Sequence, residues 1–98
     1  MSHDPDVIRR IILRQIPLGS KSSGAIKEMS SEGYSCREYH NDEFITYSSG
    51  KEVVHKNLDF VFCQKVIYGP YGATYNVVFI EHDNRITEVS ISILRISS

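Results

Sequence analysis

Two short runs in this chain set an imidazole beside carboxylates: His40 with Asp42 and Glu43, and His82 between Glu81 and Asp83. A carboxylate next to an imidazole can orient it as a general base, the chemistry of a small hydrolase or nuclease. Both runs also have the composition of turns, where such residues serve the backbone rather than a substrate. The turn reading is preferred, and no catalytic residue is assigned. His3, His40, His55 and His82 never recur at the spacing that stacks metal ligands on one face. No metal or cofactor is expected. There is no G-x-S-x-G elbow. Gly69-Pro70-Tyr71-Gly72 is too short for a phosphate cradle and lacks a following Lys-Ser or Lys-Thr.

Cys36 and Cys63 are the only cysteines, and neither belongs to a C-x-x-C or Cys/His metal pattern. In a reducing compartment they would be two small buried hydrophobes. In an oxidising one they could form a disulfide tying the first strand to a later one, and spacing leaves both states open. Tyr68, Tyr71 and Tyr75, with Lys65, gather around the Gly69-Pro70 turn. Tyrosine offers large contact area at low entropic cost and is enriched at protein interfaces. These four residues are the candidate interface. Stacking of single-stranded bases on the same rings would need a positive groove. A formal net charge of −1, from 11 basic and 12 acidic residues, provides no such field, so no nucleic-acid partner is expected.

The elements that would carry these groups are legible from period and punctuation. Ninety-eight residues make one domain with one small core. Asp4-Pro5-Asp6 opens a helix: Asp4 as cap, Pro5 at the first position, Asp6 at the positive dipole end. Val7, Ile8, Ile11, Ile12 and Ile16 form its apolar stripe, Arg9, Arg10 and Arg14 its solvated side, and Pro17 its end. Ser20 is the expected cap of a second helix carrying Ala25, Ile26 and Met29, which Gly33 closes. From Tyr34 the period becomes two. A first strand is expected to stop at a His40–Glu43 turn, with Phe44–Tyr47 β-prone and Ser48–Lys51 a break. Leu58–Tyr68, Thr74–Glu81 and Ile86–Ile96 follow as strands, the last two joined by an Asp83-Asn84 hairpin turn. Val89, Ile91 and Ile93 alternate with Glu88, Ser90 and Ser92, which demands one buried and one wet face. The fold class is therefore α+β: two N-terminal helices on one face of an antiparallel meander of three to five strands.

Gly19-Ser20, Ile26, Met29 and Gly33-Tyr34, followed by the meander, resemble the BamE (SmpA/OmlA-type) small lipoprotein module. The segment from Val78 through Glu81-His-Asp-Asn-Arg to Val89 is also similar, and together these cover residues 6–38 and 58–96. The resemblance implies the two-helix, three-strand fold and a tendency to bind other proteins. It transfers no catalytic residue. The sequence departs from the family in lacking a lipobox cysteine.

Arg9 and Arg10 interrupt the apolar run Val7–Leu13, so no signal peptide is read, and no segment approaches the roughly 20 apolar residues of a membrane span. A cytoplasmic chain is expected, or a periplasmic one if this is a trimmed mature fragment. The expected function is a non-enzymatic protein-binding module, an immunity or inhibitor-type protein acting on a toxin or effector. The alternatives are a BamE-like envelope-assembly accessory and a small hydrolase or nuclease. A free outer strand could also pair with its copy in a homodimer.

Overall fold

Asp4 does what its place before Pro5 requires: its side chain accepts the Asp6 N–H at 2.9 Å and starts the first helix. The computed structural model describes residues 4–70 and 72–95. Helices α1 (Pro5–Gln15) and α2 (Ser22–Ser31) precede strands β1 (Ser35–Ser48), β2 (Lys51–Ile67), β3 (Ala73–His82) and β4 (Arg85–Arg95). The strands form one antiparallel sheet in the order β1-β2-β3-β4. Among the described residues, no helix is long and apolar enough to cross a membrane.

Alternation sorts the sheet's side chains. Val61 and Cys63 of β2, Val77 and Phe79 of β3 and Val89 of β4 meet Ile12 and Ile16 of the first helical segment and Ala25 and Met29 of α2. Each Val, Ile, Met or Phe of this set contributes about 1.5–3 kcal/mol when withdrawn from water. The apolar stripe of α1 is narrower than its sequence suggests, since Ile11 is 49% exposed. Arg9, read as solvated, donates from Nε to the Val89 carbonyl at 3.1 Å. It thereby satisfies one acceptor on the outer edge of β4.

The segment between the helices covers more of that edge. Gly19 donates to the Ile86 carbonyl, Ile86 donates to Ser20, and Ser22 donates to Asn84. This pairing moves the start of α2 away from the expected Ser20 cap. Lys21 occupies the N-cap without a side-chain capping bond, and Ser20 Oγ donates to the Pro17 carbonyl instead. At the other end Gly33 takes φ +92°, the left-handed closure expected of it. No basic residue lies in the last turn of α2, and Lys65 of β2 supplies that charge, donating from Nζ to the Glu32 carbonyl at 2.9 Å.

Asp83 and Asn84 have φ of +52° and +62°, the geometry of a tight hairpin turn. Between β2 and β3 the chain returns through Gly72, where an added Cβ would lie 2.5 Å from the Ile67 carbonyl oxygen and 3.1 Å from that of Gly69. Backbone atoms cannot yield there as a side chain would. Gly72→Ala is expected to cost about 1–3 kcal/mol, read from a urea melt. A cost below about 0.5 kcal/mol would show that the turn is looser than drawn.

Two sequence expectations require correction. His40–Glu43 is not a turn but lies inside β1, and β2 begins at Lys51 rather than Leu58. The reversal falls at Ser49-Gly50, both at positive φ (+52° and +75°). The polar run His40-Asn41-Asp42-Glu43 marks an interruption of pairing, and a bulge interrupts pairing without reversing the chain.

Candidate functional site

Asn41 and Asn57 have φ of +50° and +56°, a region Asn tolerates better than most residues with a Cβ. Each marks a bulge. Between the Tyr39–Phe60 and Asp42–Leu58 pairs, β1 carries one residue more than β2; between Asp42–Leu58 and Phe44–His55 the excess moves to β2. The second irregularity cancels the first, so the register beyond them is that before them. Asp59 Oδ1 accepts the Asn41 N–H at 2.9 Å and fixes the first bulge.

Bulges bend a ribbon and sharpen its twist. They also decide which side chains share a face. Tyr39 and Phe44 are five residues apart, a spacing that puts side chains on opposite faces of a regular strand. Here both meet Phe60: Tyr39 stacks on it and Phe44 packs edge-on, each with centroids 5.0 Å apart. His55 stacks on Phe44 at 4.5 Å, with its Nε2 3.1 Å from Thr46 Oγ1. This aromatic row lies on the sheet face away from the helices. That face was expected to be wet. It is so at Glu88 of β4, which is exposed, but Phe60 is only 4% exposed because the row covers it.

Pairing of β2 with β3 runs from Asp59 to Ile67, so Asp42–Leu58 is a two-stranded arm reaching past the four-stranded sheet. A hairpin alone is marginal in water; the aromatic row roots this one. Phe44 and Ile45 of the arm face Phe62, Val78 and Leu94 of the sheet across a groove of about 440 Å³. Ile45, Val53 and Val54 are 49%, 39% and 45% exposed.

The residues singled out from sequence are distributed differently. His40 is exposed, with Nδ1 3.6 Å from Asp59 and Nε2 3.9 Å from Glu38. His82 is exposed, with Nε2 3.4 Å from Asp83. Neither lines the groove. Glu81, one residue from His82, turns inward and is 5% exposed. Among the described residues, no group of three or more His, Cys, Asp or Glu is placed to hold a metal. The tyrosine patch is not one surface. Tyr68 is 86% exposed and Tyr75 only 3%, because Tyr75 faces the helices. Lys65 is engaged with Glu32 and lies 5.6 Å over the Tyr34 ring. Tyr71, like His3, lies outside the described residues. Burial, followed by the proximity of Tyr75 and Glu32, raises the Tyr34 pKa above its ordinary value of 10.0. The neutral phenol is the form that fits, so its contribution to stability is complete below pH 10 and lost as pH rises through the higher folded value.

Cys36 and Cys63 stand opposite each other across β1 and β2 and are joined in a disulfide. The bond faces the helices, with Cys63 fully buried in the core and Cys36 packed against it.

Protein-family models, curated proteins and solved structures give no match to this chain. Function must be read from the arm, the groove and the disulfide themselves. The arm escaped sequence reading, yet it left a signal: β-prone Phe44–Tyr47 and Val53–His55 flank Ser49-Gly50, a short hairpin turn by composition.

Proposed function

We propose that this chain is a non-enzymatic module that docks on another protein through the β1–β2 arm. Its role would be that of an immunity or inhibitor-type protein that neutralises or regulates a toxin or effector. One observation carries the reading: Ile45 and Val54, paired across the strands on one face of the arm, remain exposed, and Val53 is exposed on its other face. By strand alternation Glu43 and Glu52 share the face of Ile45 and Val54, and Lys51 and Lys56 lie within three residues of Val54 along the chain. Apolar residues grouped inside a polar rim mark interaction sites. The outer edge of β1 adds unpaired backbone groups, a ready template for a strand of a partner or of a second copy. The hydrolase or nuclease alternative has less behind it, since all three imidazole–carboxylate pairs are solvated and longer than a good hydrogen bond.

The test places a photo-crosslinking residue at Ile45 or at Val54 and, as control, at exposed Lys27 of α2. A specific adduct from the native host is expected at the arm positions alone. Ile45→Lys with Val54→Glu should abolish capture at a cost of about 1–2 kcal/mol in unfolding free energy, because the two half-exposed positions are direct cross-strand partners and receive opposite charges. Undiminished capture by that variant would end the proposal.

A second reading is favoured by the disulfide. Such bonds persist in oxidising compartments, which suits a periplasmic, BamE-like envelope accessory. Thiols blocked at lysis should then leave an intact mass that rises by about two units on later reduction, one per sulfur. Two alkylated cysteines at that first step would remove this reading and leave the docking arm untouched.

A further inference from the structure

The arm has a second open edge besides that of β1. Strand β3 pairs with β2 only from Asp59 onward, so among the described residues no strand lies beside Lys51–Leu58 on the side away from β1. The hairpin decides which backbone groups face that side. Ser48 and Lys51 flank a two-residue loop, and the pair that closes such a loop is hydrogen-bonded. At alternate positions Val53 and His55 then bond to Thr46 and Phe44 of β1. Glu52 and Val54, lying between, turn their N–H and C=O groups outward. By strand alternation their side chains share one face with that of Lys56. All three residues are exposed. The edge therefore runs acidic, apolar, basic, with Val54 at its centre.

We propose that this edge of β2 pairs with the same edge of a second copy, antiparallel about a two-fold axis through Val54. Val54 meets its own copy, Glu52 faces the partner's Lys56, and by symmetry Lys56 faces the partner's Glu52. Opposite charges directly across a strand pair stabilise it and like charges oppose it. A register centred on Glu52 or on Lys56 would set like charges against each other, so the charge pattern selects Val54. On one face, Ile45 and Val54 of both chains then line up as an apolar row across a four-stranded ribbon. Such a contact is isologous and closed, the commonest form of oligomer. Two β1 edges have no such match, since Asp42 and Glu43 are joined by no cation between Asp42 and Ser48. The pairing leaves the outer edge of β1 open and goes beyond the docking reading.

Sedimentation equilibrium of the full chain, from about 5 μM to about 1 mM, should show the mass rising from 11.2 kDa toward twice that value. Glu52→Lys and Lys56→Glu, both at exposed positions, should each weaken association about tenfold, because each turns two opposite-charge pairs into like-charge ones. Circular dichroism checks that both variants keep the native fold. An equimolar mixture of the two should recover the native affinity, because each pair across the mixed dimer is again one cation and one anion. A dimer that neither variant weakens, or a mixture no stronger than its components, would place the contact elsewhere and overturn the pairing. So would a chain that stays monomeric to about 1 mM. If that monomer still gives host adducts at Val54, the edge belongs to a foreign partner and the docking reading stands without the dimer.

Discussion

Phe79→Ala is expected to lower unfolding free energy by about 3–5 kcal/mol, the cost of deleting a fully enclosed ring whose surroundings collapse only in part. Phe79 sits in an inner strand, is 0% exposed and belongs to the cluster that joins both helical segments to the sheet. Domains of this size hold roughly 5–15 kcal/mol in all. One substitution therefore takes a large share, and the midpoint temperature should fall by roughly 12–30 °C. Leu94→Ala is the matched control. Leu94 lies on the opposite face and is 62% exposed, so its loss should stay within about 0.5 kcal/mol. Urea melts followed by circular dichroism measure both. A loss below about 1 kcal/mol at Phe79 would mean that the helices do not cover that face.

The contrast between these positions shows why most of the fold could be read from the chain. Helix α1 states its start in Asp4-Pro5-Asp6 and its end at Pro17, and a local signal needs no partner to be true. The alternation of Val89 and Ile91 with Glu88 and Ser90 likewise reports a face directly. What sequence missed depends on partners. Ser20 is a good cap in isolation, but its backbone pairs with Ile86, and pairing with a distant strand outweighs a local preference. His40–Glu43 has turn composition, and only register shows that its residues are accommodated as a bulge compensated near Asn57 on the opposing strand. The separation of Tyr68 from Tyr75 has the same origin. Tyr68, Tyr71 and Tyr75 are neighbours in sequence, but strand alternation sends Tyr75 inward while Tyr68 stands in solvent. The apolar residues left outside, Ile45, Val53 and Val54, are ordinary β-formers whose exposure follows from a strand that β3 does not reach.

The same dependence on partners makes the disulfide the second large term. Cys36→Ala is expected to cost about 3–4 kcal/mol, the chain-entropy value for a closed loop with a sequence separation of 27 residues. That loop contains the whole arm, so the crosslink restricts the unfolded chain where the folded one has fewest contacts beyond a single hairpin. The single and double variants should be nearly equal, because the first substitution already opens the loop; Cys63→Ala added to Cys36→Ala should change the result by no more than about 1 kcal/mol. Additive losses would instead point to packing, since two sulfurs filling core volume would each be missed separately. The experiment also bears on where the molecule works. Cys63 is shielded beneath the helices, so a thiol reductant gains access through opening of the sheet. Reduction of the native protein should therefore be slow at ambient temperature and accelerate with added urea. A bond reduced at the same rate with and without denaturant would be an exposed one, and the helices would not shield it.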